Sequence, residues 1–461
     1  MLLNSVFDRF AQKSPVAVMV RSLLEHVLTP ASVDALFDEH AESQYTRELL
    51  FSQIVDLMGQ VVCGIYPSAN AAYQKQRQSF SVSRTAVYDK LNGVEPQVSA
   101  ALTRQTAAHL TAVIHELGGA LPDLLPGYRV KIIDGNCLAK SEHRLQELRT
   151  IAAAPLPGKS LVAPNPALML AIDVFPCEDG HAQERSLLDG VLATVEANDV
   201  WIEDRNFCTL GFLLGIAERQ AYFVVRQHQN LPWTVVTEAE YADVNEEVEV
   251  WEQTVRLDNS ETDETLRVRR LELRLPQPTR DGDRVIHVLT NLPALAASAS
   301  VTAGLYRKRW KIETLFQASP SALESEQTRL GYPKAELFAF CVSLVAYNVL
   351  AVVRAALRAV HTREMVEDNV STYYLLHEIK GVYQGMMIAF PDAEWRRFRD
   401  LTTAQLAAEL KALASKVRLS AYQRHKRGPK KPRPERTRYK DSPHVSTARV
   451  IANRPKRKRS P

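Results

Sequence analysis

Residues 128–225 constrain the fold more than any other part of this 461-residue chain. Residues 128–134 (YRVKIID) alternate β-branched and polar side chains and end on a carboxylate followed by Gly135 and Asn136, the pattern of a strand that stops at a turn. A second strand is predicted over 160–163, halted by Pro164. A third covers 168–175, apolar apart from Asp173, as befits a central strand. Residues 181–196 read as a helix with Leu187, Leu188, Val191 and Leu192 turned inward. Val200, Trp201 and Ile202 then lead into Glu203 and Asp204, and 222–225 form another short strand. The fold class is therefore α/β, and its first and fourth strands both finish on carboxylates, Asp134 and Asp204. Each Asp alone is an ordinary turn residue or helix cap. Two of them at neighbouring strand ends repel unless a cation lies between, and an oxygen-rich site of that kind suits Mg²⁺.

A second constraint lies in residues 303–319 (AGLYRKRWKIETLFQAS). Tyr306, Arg309 and Glu313 are three and four apart, so on a helix they share one face. The plain reading is an exposed i,i+4 ion pair between Arg309 and Glu313, but Leu305, Trp310, Ile312, Leu315 and Phe316 crowd the same helix. Residues 229–298 precede it and read as an antiparallel β insertion, because VEVWEQTVRL, LRVRRLELRL and DRVIHVLTNL alternate with period two between polar turns. Arginines alternating with leucines between Arg267 and Arg274 make either a solvated face or one that meets phosphates.

The flanks are helical. Residues 1–118 carry apolar side chains at three and four spacing, and 79–93 (SFSVSRTAVYDKLNG) resemble the second half of a helix-turn-helix. There Ser81 or Ser83 would cap a short helix, Val87 and Leu91 would face inward, and Arg84, Thr85, Tyr88 and Lys90 would face a DNA groove or phosphates; a bland capped helix fits the same residues. Residues 337–353 are a long apolar run interrupted by Ser343, Tyr347 and Asn348. They fall short of the roughly 20 apolar residues of a membrane span, so a buried helix and no membrane partner are expected. A further helical region runs to about 422. From Arg424 onward fifteen Lys or Arg face two acids, so 424–461 carry +13 and the rest of the chain −9. Such a tail is expected to be disordered and drawn to a polyanion. Five scattered cysteines with no CxxC pair argue for a reducing, cytoplasmic setting and against a disulfide frame or zinc cluster.

Asp134 in IIDGNCLAKSEHRLQELR, Asp204 in VWIEDRNFCTLGF and Glu313 in YRKRWKIETLF together resemble the DDE transposases of bacterial insertion sequences, specifically the cut-and-paste fourth insertion-sequence family, over about 128–353. The resemblance implies a ribonuclease-H-like catalytic core with a β insertion (121–360), preceded by a helical DNA-binding region (1–120) and followed by a helical region (361–423) and the basic tail. It implies Asp134, Asp204 and Glu313 as catalytic ligands of two Mg²⁺ ions, with Mn²⁺ as a substitute, and Tyr306 and Arg309 as phosphate contacts. The family's signature ends in a Lys whose place is Pro320 here, so Lys311 or Lys308 would take that role. Arg84 and Tyr88 would contact DNA, and His143 and Arg144 lie where they would reach the same phosphates. Trp233 and Trp251 are candidates for the Trp that the family places near the cleaved end. The implied function is cleavage of element ends and their joining to target DNA, acting on double-stranded DNA as a homodimer at the nucleoid. The alternative is a catalytically impaired, transposase-derived repressor, which Pro320 keeps open.

Overall fold

The computed structural model describes residues 5–44, 46, 48–138, 145–151, 155–245, 248–259, 263–279, 282–318, 323, 330–424 and 445–454, with backbone alone at 245 and 310–318. The first strands are β1 (Arg129–Ile132), β2 (Asp134–Leu138), β3 (Pro155–Leu156), β4 (Gly158–Asn165), β5 (Leu170–Cys177), β6 (Asp199–Glu203) and β7 (Tyr222–Arg226). β1 and β2 are one run of chain broken at Ile133. The first half pairs in parallel with β6, and the second pairs antiparallel with β4. Since β4 pairs antiparallel with β5 and β6 in parallel with β7, the strands stand in the order β5, β4, β2/β1, β6, β7. β4 runs past Pro164 because a register shift there spares the proline an inter-strand donor.

The insertion strands follow as β8 (Thr234–Val235), β9 (Glu240–Asn245), β10 (Val248–Asp258), β11 (Thr265–Arg274) and β12 (Val285–Thr290). They are not a separate module. β12 pairs antiparallel with β7, and the β10–β11 hairpin extends the same sheet in the order β1-β6-β7-β12-β11-β10-β8 among the described residues. Period-two alternation identifies strands but not their partners, so this continuity was invisible in the sequence. The same period splits the sheet's faces. Ile132, Val200, Ile202 and Val224 pack with Ala303, Leu305 and Tyr306 of helix Ala299–Ala318. Ile133, Trp201, Phe223 and Val225 pack with Phe212, Leu213 and Ile216 of helix Leu210–Glu218 on the other side. The helix expected at 181–196 is shorter, a 3₁₀ turn (Glu184–Leu187) and then Leu188–Leu192.

Helix Pro333–Val360 organises the helical part. It packs along Pro96–Leu117, Phe51–Val62 and Thr403–Ala414, and one core runs from Phe7 to Tyr422 and takes in Leu170, Ala171 and Val174 of β5. The helical residues before and after the sheet thus share a single core. Pro333–Val360 is long and apolar enough to cross a membrane, but its apolar stretch is wholly buried in protein. Its polar interruptions have partners: Asn348 donates Nδ2 to Ala171 O (2.9 Å) and accepts from Ala171 N at Oδ1 (2.8 Å), closing the free edge of β5, and Ser343 Oγ donates to Phe340 O (2.6 Å).

Two expectations are corrected here. In helix Arg84–Gly93, Ser83 caps the N-terminus and Val87 and Leu91 are buried as predicted. Lys90 also turns inward, with Nζ 3.7 Å from the centre of the Phe37 ring; it lies three residues after Val87 and so shares the inner face. The chain after Arg424 is not structureless throughout. Val445–Ser446 (β13) pairs in parallel with β3, and helix Thr447–Ala452 follows. Arg449 donates to Asp179 (2.8 Å) and Arg454 Nη2 to Glu147 (2.6 Å). Composition weighs charge against burial and cannot register docking through backbone pairing and ion pairs.

Candidate active site

Parallel pairing of β1 with β6 matches Arg129 to Asp199 and Ile132 to Ile202, and Ile133 N–H donates to Ile202 O (3.2 Å). Continued by two residues, that register sets Asp134 opposite Asp204. With period two, both fall on the face that Ile132 and Ile202 present to helix Ala299–Ala318. The strands stop at this level because Asp134 enters β2 and Asp204 caps the 3₁₀ turn Arg205–Phe207, where its carbonyl accepts from Phe207 N–H. Seventy residues apart in sequence, the two carboxylates reach adjacent strand ends.

Helix Ala299–Ala318 lays Tyr306 and Arg309 over that end of the sheet. Both are buried, Arg309 only 5% exposed. Its guanidinium carbon lies 5.4 Å from the Tyr306 ring centre, so the charge rests against the ring and acts on the phenol electrostatically. Arg309 Nη2 stands 3.6 Å from Asp204 Oδ1. Arg309 therefore faces Asp204 across the site and is more than half of an exposed ion pair along its own helix. Burial pushes the Asp134 carboxyl up from 3.8 to about 6; Arg309 and the Gly135 N–H pull it down, and the negative charges of Glu184 and Asp204 push it further up. Burial also raises Tyr306, so its hydroxyl stays a neutral donor at physiological pH.

Sequence reasoning missed three side chains here. Glu184 sits against Gly135, where a Cβ would collide with its carboxylate. Asn206 donates Nδ2 to Glu184 Oε2 (2.5 Å). Arg226, at the end of β7, pairs with Asp283 (2.6 Å) and lies close enough to Tyr306 and Asp204 to act on both electrostatically. Asn206 follows Asp204 by two residues and was within view; the one sequence trace of Glu184 is Gly135, the glycine it packs against.

The side chains of Glu313 and Lys311 lie outside the described residues, although both positions fall on helix Ala299–Ala318. Pro320, His143 and Arg144 also lie outside them. Among the described residues no three His, Cys, Asp or Glu side chains converge to hold a metal ion directly. Arg84 is exposed and Tyr88 half-buried on their helix, Tyr88 against the helical core. In the insertion, Arg270 stacks on Trp233 (4.7 Å) and Arg274 on Trp251 (4.5 Å). Arg269 forks onto Glu252 (2.6 and 3.0 Å), and Arg274 pairs with Glu272, so much of the predicted positive face is neutralised internally.

Residues 161–349 match the family model described as "Transposase DDE domain". That stretch holds Asp204, Tyr306, Arg309 and Glu313, begins after Asp134, and is less than half of the chain. A curated relative in Sinorhizobium fredii (strain NBRC 101917 / NGR234), named "Putative transposase y4zB", is 30% identical over 170 residues, 35% of this chain and 45% of that protein. The chain thus matches less than half the length of that relative. Among solved structures, the piggyBac transposase synaptic complex with hairpin DNA aligns over 86% of this chain and 85% of that one at 10% identity and a TM-score of 0.39, too loose a likeness to carry a fold assignment.

Proposed function

We propose that this chain is a DNA transposase that cleaves the ends of an insertion sequence and joins them to target DNA, in the manner of the fourth insertion-sequence family. The observation that carries the reading is the register-matched pair Asp134 and Asp204 under the Tyr306–Arg309 clamp, in a chain that matches a transposase DDE domain. A ribonuclease-H-like core is supported by the mixed sheet, in which antiparallel β2, β4 and β5 lead into parallel β1, β6 and β7 with acids at the two central strand ends.

The donor set fits a hard divalent cation: carboxylate oxygens at adjacent strand ends, one of them held in a site that disfavours its charge unless a cation compensates. Asp134, Asp204 and Glu313 would hold two such ions, Mg²⁺ or Mn²⁺. When bound, these supply Lewis acidity at the phosphate and stabilise the attacking and leaving oxygens of the displacement. The chain's own residues do the rest. Arg309, freed from Asp204 by an incoming phosphate, offers a planar charged fork. Tyr306 donates a neutral hydrogen bond and fixes the guanidinium, and Lys311 takes the place of the family's terminal lysine. Helix Arg84–Gly93 presents Arg84 and Tyr88 to duplex DNA. Two ends must be cut together, so the working form is a homodimer on DNA at the nucleoid. The repressor alternative rested on Pro320, and no described feature favours it.

The test is incubation with Mg²⁺ and a DNA fragment carrying the element's ends. Wild-type protein should nick the ends and yield joined products, while Asp134→Ala, Asp204→Ala and Glu313→Ala should still shift the DNA in a gel without nicking it. Full cleavage by any of the three variants would overturn the assignment.

A further inference from the structure

Resting on that reading, we propose that Glu184 is a further carboxylate of the same site, holding the cation beside Asp134 through a water molecule and seated there by Gly135 and Asn206. The 3₁₀ turn that carries it begins seven residues after the end of β5 and brings its carboxylate directly against the Gly135 backbone. A Cβ built on Gly135 would lie within 3 Å of Cδ and both carboxylate oxygens of Glu184. Gly135 has no left-handed backbone requirement, so the reason for a glycine after Asp134 is room for this side chain.

The opposite end of the contact is fixed by the other acid-bearing loop. Asn206, two residues after Asp204, donates to Glu184 Oε2, and Arg185 Nε donates to the Asn206 carbonyl (2.7 Å). Glu184 thus spans from the neighbour of Asp134 to the neighbour of Asp204. Among the described residues it has no ion-pair partner, and its charge reaches Asp134 and Cys137. The negative charges of Glu184 and Asp204 both act on the buried Asp134 carboxyl, and a cation held among them would compensate all three. Mg²⁺ usually keeps several of its waters when it binds protein carboxylates, so an acid one water away still acts on it. Groups that act on a metal through such outer contacts typically alter its affinity 10–100-fold.

The experiment is titration of the full-length protein with Mn²⁺ alone, without DNA, followed by water-proton relaxation. Glu184→Gln keeps the shape and the acceptor for Asn206 and removes the charge; it should weaken Mn²⁺ binding about tenfold and leave thermal unfolding unchanged. Gly135→Ala, which displaces an intact Glu184, should weaken it similarly, so the inference does not depend on one variant folding. Asp134→Asn is the reference and should abolish binding. Wild-type affinity in both Glu184→Gln and Gly135→Ala, with binding lost in Asp134→Asn, would overturn the role of Glu184 and leave the site standing. Unchanged binding in Asp134→Asn would overturn the metal-site reading itself.

Discussion

Replacing Asp134 by Asn should make the metal-free protein more stable while removing its activity. The carboxyl is pushed from 3.8 to about 6, chiefly by burial. A raised acid favours the fold below its unfolded value, and that contribution is lost as pH rises through the folded value. Above pH 6 the fold therefore carries an ionised group it would rather keep protonated. At about 1.4 kcal/mol per tenfold change in protonation, the difference corresponds to about 3 kcal/mol, and about 1–3 kcal/mol once water access to this partly exposed carboxylate is allowed for. Urea unfolding in a chelator checks this. At pH 7.5 Asp134→Asn should unfold at higher urea than wild type, and the gap should close as pH falls through 6 towards 4, where wild-type Asp134 is itself protonated. Added Mg²⁺ should narrow the gap from the other side, because only wild type gains from binding. A variant no more stable than wild type at pH 7.5, or a gap that ignores pH, would refute the reasoning.

Other outcomes follow from the same contacts. Arg309→Met should abolish cleavage and destabilise the metal-free fold by about 1–3 kcal/mol at pH 7.5, because the 39% exposed Asp204 carboxylate stays hydrated while the buried Asp134 loses the charge that compensates it; parallel nicking and urea assays read both. Arg84→Ala should weaken DNA binding with little regard to sequence and lower the slope of log K against log salt by about 1, measured by fluorescence anisotropy across salt concentrations. Asn348→Leu should destabilise the fold by about 2–5 kcal/mol, since it strands the buried N–H and C=O of Ala171 together, and urea unfolding would show it.

Local pattern was enough to place the strands at Tyr222–Arg226, Val248–Asp258 and Thr265–Arg274 within a residue or two, and to bury the apolar helix Pro333–Val360. In each case period and length decide between few alternatives. What escaped was pairing between distant segments. Nothing in Val285–Thr290 says that it joins β7 and makes the insertion an extension of the central sheet. Lys90 reads as a DNA contact until Phe37, fifty-three residues earlier, supplies a ring for its ammonium to rest on. Val445–Ser446 reads as part of a solvated basic tail until Pro155–Leu156 offers it an edge.

The two aspartates were legible for a reason that also explains why Glu184 was not. A strand that ends on an acid can be placed from sequence, because the strand fixes where its last side chain points, and two parallel neighbours then need only agree in register. Arg129 opposite Asp199 and Ile132 opposite Ile202 provide that agreement, and Asp134 and Asp204 inherit it. Glu184 sits on a 3₁₀ turn whose direction comes from tertiary contacts, the donor of Asn206 and the gap over Gly135, so no spacing in the chain encodes its aim. The local trace of it is the glycine. Gly135 follows Asp134 with an ordinary backbone conformation, and a glycine that no turn demands is a place where another group has to come close.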